Sequence, residues 1–418
     1  MVIKMKNNNI PAIRFKGFTE AWEQCKLGEL GSTYTGLSGK TKEDFGHGDG
    51  KFITYMNVFS NPISNIEMVE PIEIDVKQNT VLSGDIFFTT SSETPEEVGM
   101  ASVLVENPQN MYLNSFCFGY RPNIKLDPYY MGYMLRSTDF RKNMILLAQG
   151  ISRYNISKTK AMELNVSIPV LEEQSKIGLL FKELNNLITL HQRKYEKLIN
   201  IKKSLLEKMF PSDGESIPKI RFRGFAEAWE QRKYSDIAII KRGLTYSPNN
   251  ITNDGIRVLR SSNINDDQFV IYEDDVFVNP NAVNIDKVEN GDILITSANG
   301  SPRLVGKHAI IRDLKENSAV HGGFMLISRA ANYEFVNASM SSNWYREFLS
   351  VNVAGGNGAI GNLNATELEN YELLIPINNE QIKIGELFSR IDSLITLHQR
   401  KYEKLKNIKK SLLNKMFV

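Results

Sequence analysis

Two stretches of the chain carry apolar residues at seven-residue intervals. The first runs from Ile177 to Leu205 and the second from Ile384 to Leu412, with further apolar residues three and four positions on. This spacing predicts two long amphipathic helices of coiled-coil type. The residues expected to pair the helices are Ile177, Leu184, Ile188, His191, Leu198, Leu205, Ile384, Ile391, Ile395, His398, Leu405 and Leu412.

The length of these stripes predicts that the two helices bury each other. A helix of about 36 residues is about 54 Å long, which exceeds one small domain. An apolar stripe of that length is unfavourable in water, and the most economical solution packs one copy against the other. Because each helix follows a similar block, we expect an antiparallel pair with pseudo-two-fold symmetry and one block at each end.

The whole chain is a tandem repeat with an offset of 207 residues. The segment RFKGFTEAWEQ at 14–24 returns as RFRGFAEAWEQ at 221–231. A Gly-Asp-Ile triplet at 84–86 returns at 291–293, and the twelve residues LITLHQRKYEKL at 187–198 return unchanged at 394–405. Several landmarks at one spacing indicate two half-chains with the same plan.

The repeat divides the chain into two variable blocks, each followed by a long helix. The predicted fold class is mixed α+β (α/β in the broad sense). The predicted boundaries are a first block at 1–170, a first helix at 171–210, a linker at 211–217, a second block at 218–376 and a second helix at 377–418. Pro and Gly at the junction favour a surface turn that ends the first helix.

Short elements are predicted inside the blocks. Residues rich in β-branched and aromatic types predict strands at 51–58 and 256–264. Short helices are expected at 127–135 and 337–349, and polar loops at 89–97 and 297–303. Asp85 and Asp292 follow glycine before apolar strands, which indicates acids that cap a turn.

Charge is distributed unevenly along the chain. The formal net charge is only +2, yet residues 174–210 carry +5 and residues 381–418 carry +6, so the blocks are acidic on balance. No apolar run approaches the roughly 20 residues that span a bilayer. The first residues lack the apolar region of a signal peptide, and two cysteines do not suggest a disulfide framework, so we expect a cytoplasmic protein.

The sequence contains only incomplete versions of the motifs that would indicate catalysis. Residues 36–41 imitate the end of a phosphate-binding P-loop, but Tyr34 stands where that motif needs its first glycine. The glycine-rich segment 355–361 lies outside any strand-turn-helix unit, and a mobile loop that touches a partner or nucleic acid is the better interpretation. The histidines show no metal-ligand spacing, and we expect no metal site.

Recognition remains as the function of the blocks. Arg, Asn and Ser present the donors and acceptors that read base edges, while Lys and Arg hold phosphates. An ordinary surface role is the alternative for each residue taken singly. The candidates in the first block are Lys40, Lys42, Lys51, Tyr55, Asn57, Ser91, Ser92, Arg153, Tyr154, Asn155 and Lys158. Those in the second are Arg257, Arg260, Ser261, Ser262, Asn263, Ser297, Asn299, Arg303, Lys307, Asn357, Asn362 and Asn364.

Taken together, the repeated motifs resemble the specificity (S) subunit of type I restriction-modification systems. The resemblance covers the whole chain. It rests on RFxGF with AWEQ at the start of each half, the Gly-Asp-Ile turn, the IPxxxEQxKIG segment that leads into each helix, and the repeated helix itself.

The resemblance implies a division of labour. The two blocks would be target recognition domains that each read one half of a split target in double-stranded DNA, and the helices would set the spacer between the halves. Two modification (M) subunits would dock here and bring S-adenosylmethionine chemistry. Restriction (R) subunits would bring ATP- and Mg-dependent cleavage, leaving this chain without a cofactor or catalytic residues. The alternative is a tandem coiled-coil scaffold whose blocks bind proteins.

Overall fold

A computed structural model describes residues 9–354 and 361–418, and these residues form two compact units. The first unit comprises the chain through Gln192 together with Arg400–Val418, and the second comprises Arg193–Gln399. Each long helix therefore contributes its first part to one unit and its last part to the other.

The first unit begins with an α+β block. Its helices are α1 (Tyr55–Ser60), α2 (Pro128–Met134), α3 (Thr138–Ile145), α4 (Lys158–Met162) and the long α5 (Leu171–Met209), which continues into the second unit. Its strands are β1 (Glu23–Lys26), β2 (Gly31–Thr35), β3 (Phe45–Ile53), β4 (Val69–Ile72), β5 (Ile86–Thr89), β6 (Ser91–Ser92), β7 (Ala101–Val103), β8 (Met111–Leu113), β9 (Cys117–Pro122), β10 (Tyr154–Asn155) and β11 (Asn165–Ile168).

Two sheets form the core of this block. One is an antiparallel sheet with the strand order β2-β9-β5-β7, and the other has the order β4-β3-β8, in which β3 and β8 run parallel. All four residues of β5 are buried, as the apolar run IFFT predicts for a central strand. Phe88 on β5 stacks on Phe118 of β9 with 5.2 Å between ring centroids.

The second unit repeats this block with other side chains. Its strands are β12 (Glu230–Lys233), β13 (Ile239–Arg242), β14 (Ile251–Thr252), β15 (Ile256–Leu259), β16 (Ile264–Asn265), β17 (Gln268–Phe269), β18 (Phe277–Val278), β19 (Ile293–Thr296), β20 (Ala298–Asn299), β21 (His308–Ile310), β22 (Ala319–His321), β23 (Met325–Arg329), β24 (Val353–Ala354), β25 (Gly361–Leu363) and β26 (Glu372–Ile375). Its helices are α6 (Tyr333–Met340), α7 (Asn343–Asn352), α8 (Ala365–Asn370) and the long α9 (Asn378–Lys415), which continues into the first unit.

The sheet order of the second unit matches that of the first. The antiparallel sheet has the order β13-β23-β19-β21, and a second sheet has the order β14-β18-β15-β22, in which β15 and β22 run parallel. The two blocks therefore share one topology although their sequences differ. The predicted fold class, two tandem α+β domains each followed by a long helix, is confirmed.

The first and last strands of each block pair with each other. β1 pairs antiparallel with β11, and β12 pairs with β26 in the equivalent register. This pairing brings the chain back to its starting point just before the long helix begins.

A buried ion pair reinforces this closure. Arg14 donates two hydrogen bonds, of 2.7 and 2.8 Å, to the carboxylate of Glu173 in the first turn of α5. The indole of Trp22 donates to the same carboxylate at 3.2 Å. Arg221 and Glu380 repeat the two-point contact at 2.8 and 2.7 Å in the second unit. The arginine of the RFxGF motif therefore joins the start of each block to the first turn of its long helix.

Segments of both long helices pack together inside each unit. In the first unit Phe181 lies 5.5 Å from Phe417 between ring centroids, and four residues later on α5, Asn185 accepts a 2.6 Å hydrogen bond from Lys409. One index rises as the other falls, so the segments run antiparallel. In the second unit Lys202 and Asp392 make the matching contact at 2.7 Å.

All twelve residues predicted to pair the helices lie on the shielded side. Ile177, Leu184, Ile384 and Ile391 are buried, and the other eight, including His191 and His398, are half-buried. The seven-residue pattern therefore marks the face of each helix that turns away from solvent.

Several local predictions need correction. The strand predicted at 256–264 is two strands, because the 3-10 turn Ser261–Asn263 separates β15 from β16, and the loops predicted at 89–97 and 297–303 contain β6 and β20. The strand predicted at 51–58 ends at Ile53, because the side chain of Thr54 accepts a hydrogen bond from the backbone N–H of Asn57 and starts helix α1. The helix predicted at 337–349 is two helices, α6 and α7, that meet at Ser341–Ser342. The hydroxyls of both serines donate to carbonyls of the last turns of α6, Ser341 to Asn337 and Ser342 to Ser339, where that helix ends.

Removing the buried carboxylate should destabilise the first unit. Glu173→Ala leaves the guanidinium of Arg14 without its partner in a site where the Glu173 side chain has no exposed surface. We expect the free energy of unfolding to fall by about 3–5 kcal/mol in urea titrations. Glu172→Ala is the matched control, because its side chain is 72% exposed, and it should change stability by about 0.5 kcal/mol or less. Equal effects of the two changes would contradict the assigned role.

Lys409 should make the stability of the first unit depend on pH. Burial, and to a smaller extent the nearby charge of Arg136, lowers the pKa of Lys409 to about 8. The unfolded chain therefore binds more protons between about pH 8 and 10.5, and stability should rise with pH across that window. Relative to Lys409→Met, we expect wild type to gain up to about 3 kcal/mol from pH 7.5 to 10.

Asn185→Asp is the matched variant for this experiment, because it copies the carboxylate that Asp392 presents to Lys202 in the second unit. A carboxylate beside Lys409 favours the charged amine, so this variant should flatten the rise. Chemical unfolding followed at a series of pH values measures both. A rise that persists unchanged in Asn185→Asp would assign it to another group.

Candidate nucleic-acid interface

The Gly-Asp-Ile turn fixes the central strands of each block. Asp85 accepts a 2.9 Å hydrogen bond from the backbone N–H of Leu82, so the predicted role as a turn-capping acid is confirmed. The same carboxylate binds Arg121 of β9 through two bonds of 2.8 and 2.7 Å. Asp292 repeats the turn bond with Glu289 and the two-point contact with Arg329. These contacts tie the turns that precede β5 and β19 to the neighbouring strands β9 and β23.

A short two-stranded ribbon carries several of the predicted recognition residues of the first block. β6 and β10 pair antiparallel, with Ser92 opposite Tyr154 and Ser91 opposite Asn155. The strands lie about sixty residues apart in sequence. We name this pair the first ribbon. The fold thus brings four of the candidates together.

A cavity of about 280 Å³ opens beside the first ribbon. Tyr55, Ser91, Ser92 and Arg153 line it, so the fold gathers candidates from three distant segments. The hydroxyl of Tyr55 donates to the carbonyl of Ser91 at 2.7 Å, and burial raises the pKa of Tyr55. Phe116 also lines this cavity and was not predicted from the sequence.

Two half-buried arginines, Arg136 and Arg141, hold the segments beside this cavity. Arg136 donates to the carbonyls of Val58, Phe59 and Asn61 and so caps the end of α1, which carries Tyr55. Arg141 donates to the carbonyls of Glu96, Val98 and Gly99. Burial lowers the pKa of Arg136 to about 9 and that of Arg141 to about 10, and both remain charged at neutral pH.

The other candidates of the first block lie apart from the ribbon. Lys40 forms an ion pair with Asp75 at 2.9 Å, and this contact lowers the pKa of Asp75 to about 2. Lys42 and Lys51 are exposed, and Lys158 is the first residue of α4.

Asn57 is fully buried, and its amide donates to the carbonyls of Asn65 and Met68. Its side chain serves the fold and does not face solvent.

The second block has the equivalent ribbon. β20 and β25 pair antiparallel with Asn299 opposite Gly361 and Ala298 opposite Asn362. Asn362 is exposed and occupies the same register as Asn155 of the first ribbon. The amide of Asn299 donates to the hydroxyl of Ser261 at 3.2 Å, which joins two candidates. Ser297 directly precedes β20 and is buried. We name the β20–β25 pair the second ribbon.

The remaining candidates of the second block fall in three places. Arg257 forms an ion pair with Asp275 and lies over the ring of Phe277 at 4.7 Å. Arg260 and Ser262 line a cleft of about 410 Å³. Arg303 and Lys307 line a larger cleft of about 990 Å³ between the block and the helices of the second unit.

The last three candidates of the second block are asparagines. Asn263 is fully buried, where its amide donates to Val270 and Asp275, so it too serves the fold. Asn364 is exposed and starts α8 by accepting from the N–H of Thr366. Asn357 and the glycine-rich segment around it, residues 355–360, lie outside the described residues.

The geometry favours recognition by polar side chains. The first ribbon carries the exposed amide of Asn155, and Arg153 lines the cavity beside it. The second ribbon carries the amides of Asn299 and Asn362. Amide and guanidinium groups of this kind can match base edges and phosphates. Within residues 9–354 and 361–418, no cluster of three or more His, Cys, Asp or Glu side chains is placed to hold a metal ion. In the same part of the chain, no helix combines the length and apolar character that crossing a bilayer requires.

This fold and these surfaces define a tandem recognition protein whose two α+β domains are joined to long helices. The chain belongs to the family described as type I restriction modification DNA specificity domain, whose model matches residues 19–200 and 226–407. The chain is thus a specificity subunit of a type I restriction-modification system, as the sequence motifs predicted.

Similar proteins support this assignment. The putative type I restriction enzyme MjaX specificity subunit of Methanocaldococcus jannaschii is 23% identical over 434 aligned residues, which cover 98% of this chain and 96% of that protein. The EcoKI specificity subunit of Escherichia coli K12 is 22% identical over 361 residues, covering 82% and 76%. The S subunit from M. genitalium has the same fold, with a TM-score of 0.63 at 14% identity, covering 98% of this chain and 99% of that one.

Arg141 should control the order of the cavity wall at residues 94–99. Arg141→Met removes three charge-assisted hydrogen bonds to backbone carbonyls, each worth about 1.5–3 kcal/mol. We expect amide hydrogen exchange in this segment to accelerate at least about tenfold, with the core strands unchanged. Lys142→Arg is the matched control, since the side chain of Lys142 is 68% exposed. Unchanged exchange in Arg141→Met would show that other contacts hold the wall.

Proposed function

We propose that each recognition domain reads one half of a bipartite DNA target and that the paired helices set the spacer. The observation that carries the proposal is that the two blocks share one strand order but differ in the side chains of their ribbons. Ser91, Ser92 and Tyr154 of the first ribbon are replaced by Ala298, Asn299 and Gly361 in the second, while the exposed Asn155 and Asn362 occupy the same position. Ser91 and Ser92 are almost fully buried. Two half-sites of different sequence require this combination of a common frame and divergent surfaces.

The long helices offer two equivalent faces to modification subunits. Leu187 and Leu190 on α5 are 42% and 45% exposed, and their repeats Leu394 and Leu397 on α9 are both 44% exposed. Isolated exposed leucines are ordinary, but the same apolar pair recurs at the same repeat position. Two identical faces suit two copies of one partner, which supports docking of two modification subunits.

The chain is proposed to act without chemistry of its own. S-adenosylmethionine would bind in the modification subunits, and ATP and Mg in the restriction subunits, all of them assembled on this subunit in the cytoplasm. The candidate residues retain the roles suggested by their type: exposed Asn and Ser for base edges, and Lys42, Lys51, Lys158, Arg303 and Lys307 for phosphates. The relatives named above are themselves specificity subunits.

Methylation mapping tests this function directly. The chain is co-expressed with the modification subunits of its system, and methylated adenines are mapped across the host genome. A split, asymmetric motif methylated on both strands is the expected result. A scaffold that binds only proteins predicts no chain-dependent motif and no salt-dependent duplex binding, so either finding would reject the proposal.

Lengthening both helices should lengthen the spacer. Inserting the same seven residues after Gln192 and after Gln399 keeps the apolar stripe in register and adds about 10.5 Å. At 3.4 Å per base pair, we expect the methylated motif to gain about three unspecified base pairs while both half-sites stay the same. A seven-residue insertion in one helix alone breaks the matched pairing and should abolish methylation. An unchanged spacer in the double insertion would remove the helices from that role.

A further inference from the structure

An exposed phenylalanine stands at the same place in both recognition domains. Phe116 precedes β9 and Phe324 precedes β23, and their side chains are 58% and 68% exposed. The next residue in each case is buried, with Cys117 3% and Met325 1% exposed. The residues before them differ entirely, Asn114-Ser115 in one domain and Gly322-Gly323 in the other. An exposed aromatic ring is therefore what the two turns have in common.

Backbone hydrogen bonds attach both turns to the ribbons. The carbonyl of Phe116 accepts from the N–H of Thr90 at 3.0 Å and from its hydroxyl at 2.8 Å, directly before β6. The carbonyl of Phe324 accepts from the N–H groups of Ser297 and Ala298 at 2.9 and 3.1 Å. These bonds attach the backbone of each turn to its ribbon. The position of each phenylalanine is therefore fixed by hydrogen bonds to the strand pair.

Fixed position and exposure distinguish these rings from scattered surface apolar residues. A single exposed apolar side chain needs no explanation. Here the same exposure recurs in two domains whose ribbons carry different side chains. In the first domain Phe116 shares its cavity with Arg153, Ser91 and Glu93. Arginine, serine and carboxylate groups each pair with a base edge, and an aromatic ring contacts the thymine methyl group or a base face.

We propose that Phe116 and Phe324 are apolar contacts to the base pairs of the two half-sites. This inference rests on the proposed function. One ring type suits both half-sites because every base pair offers apolar surface, while the polar neighbours supply the sequence preference. The occupant is duplex DNA, since the rings lie on the divergent surfaces and not on the repeated helix faces that suit a common protein partner.

The proposed contact forms only when the ribbon lies in the groove of its target DNA. It should therefore strengthen binding of the cognate duplex and leave non-specific binding unchanged. Non-specific binding depends on phosphates and salt, to which a phenyl ring contributes nothing. We expect Phe116→Ala and Phe324→Ala, in complex with modification subunits, each to weaken binding of the cognate duplex about ten- to a hundredfold. Binding of a scrambled duplex of equal length should stay unchanged.

Half-scrambled duplexes separate the two domains. The motif is first defined by methylation mapping with wild type, and two duplexes are then made, each with one half-site scrambled. Phe116→Ala should lose its penalty on the duplex that lacks the half-site of the first domain and keep it on the other. Phe324→Ala should show the opposite pattern. Phe→Leu at each position retains bulk and folding while removing the ring, and should give an intermediate loss.

Matched controls lie at the opposite ends of the same sheets. Ile124 follows the far end of β9 and is 48% exposed, and Ile239 pairs with Arg329 at the far end of β23 and is 63% exposed. Ile124→Ala and Ile239→Ala should bind cognate DNA as wild type does. Wild-type affinity in the phenylalanine variants would overturn the inference. An equal penalty on every duplex would also overturn it, because that result indicates a contact to a protein partner. A wild type without a split motif would instead reject the proposed function.

Discussion

The buried ion pair between the start of each recognition domain and the first turn of its long helix is the contact on which the architecture depends. Arg14 with Glu173, and Arg221 with Glu380, bring together residues 159 apart. The first and last strands of the domain pair immediately beside this contact. These contacts fix the position of the whole recognition domain relative to the start of the long helix that follows it.

This closure allows the two surfaces to diverge. The ion pair, the Gly-Asp-Ile turn and the strand pairing use backbone groups and a few repeated side chains, so the ribbons are held without depending on their own exposed residues. In the first domain Arg136 and Arg141 add a local support, because they hold α1 and residues 96–99 by hydrogen bonds to backbone carbonyls, which do not depend on the side chains of those segments. A frame of this kind permits change of specificity with little loss of stability.

The helices obey the opposite constraint. Their shielded face packs against its own repeat, and their exposed face carries Leu187 and Leu394 at equivalent positions. The proposed docking of two modification subunits would keep both copies alike and would account for the twelve identical residues. The half-buried pair of Lys409 and Asn185 departs from the pair of Lys202 and Asp392, and this difference is the basis of the pH dependence expected for the stability of the first unit.

The sequence by itself determined the duplication, the fold class, the helix stripes and the turn acids, because each depends on spacing along the chain. It also predicted residues that meet on the ribbons, Ser91 and Asn155 among them, from side-chain type alone. The tertiary structure decided which candidates face solvent: Asn57 and Asn263 are buried, and Lys40 is held by Asp75. It also revealed Phe116 and Phe324, since the exposure of a phenylalanine follows from strands that pair across tens of residues, and no local pattern records such pairing.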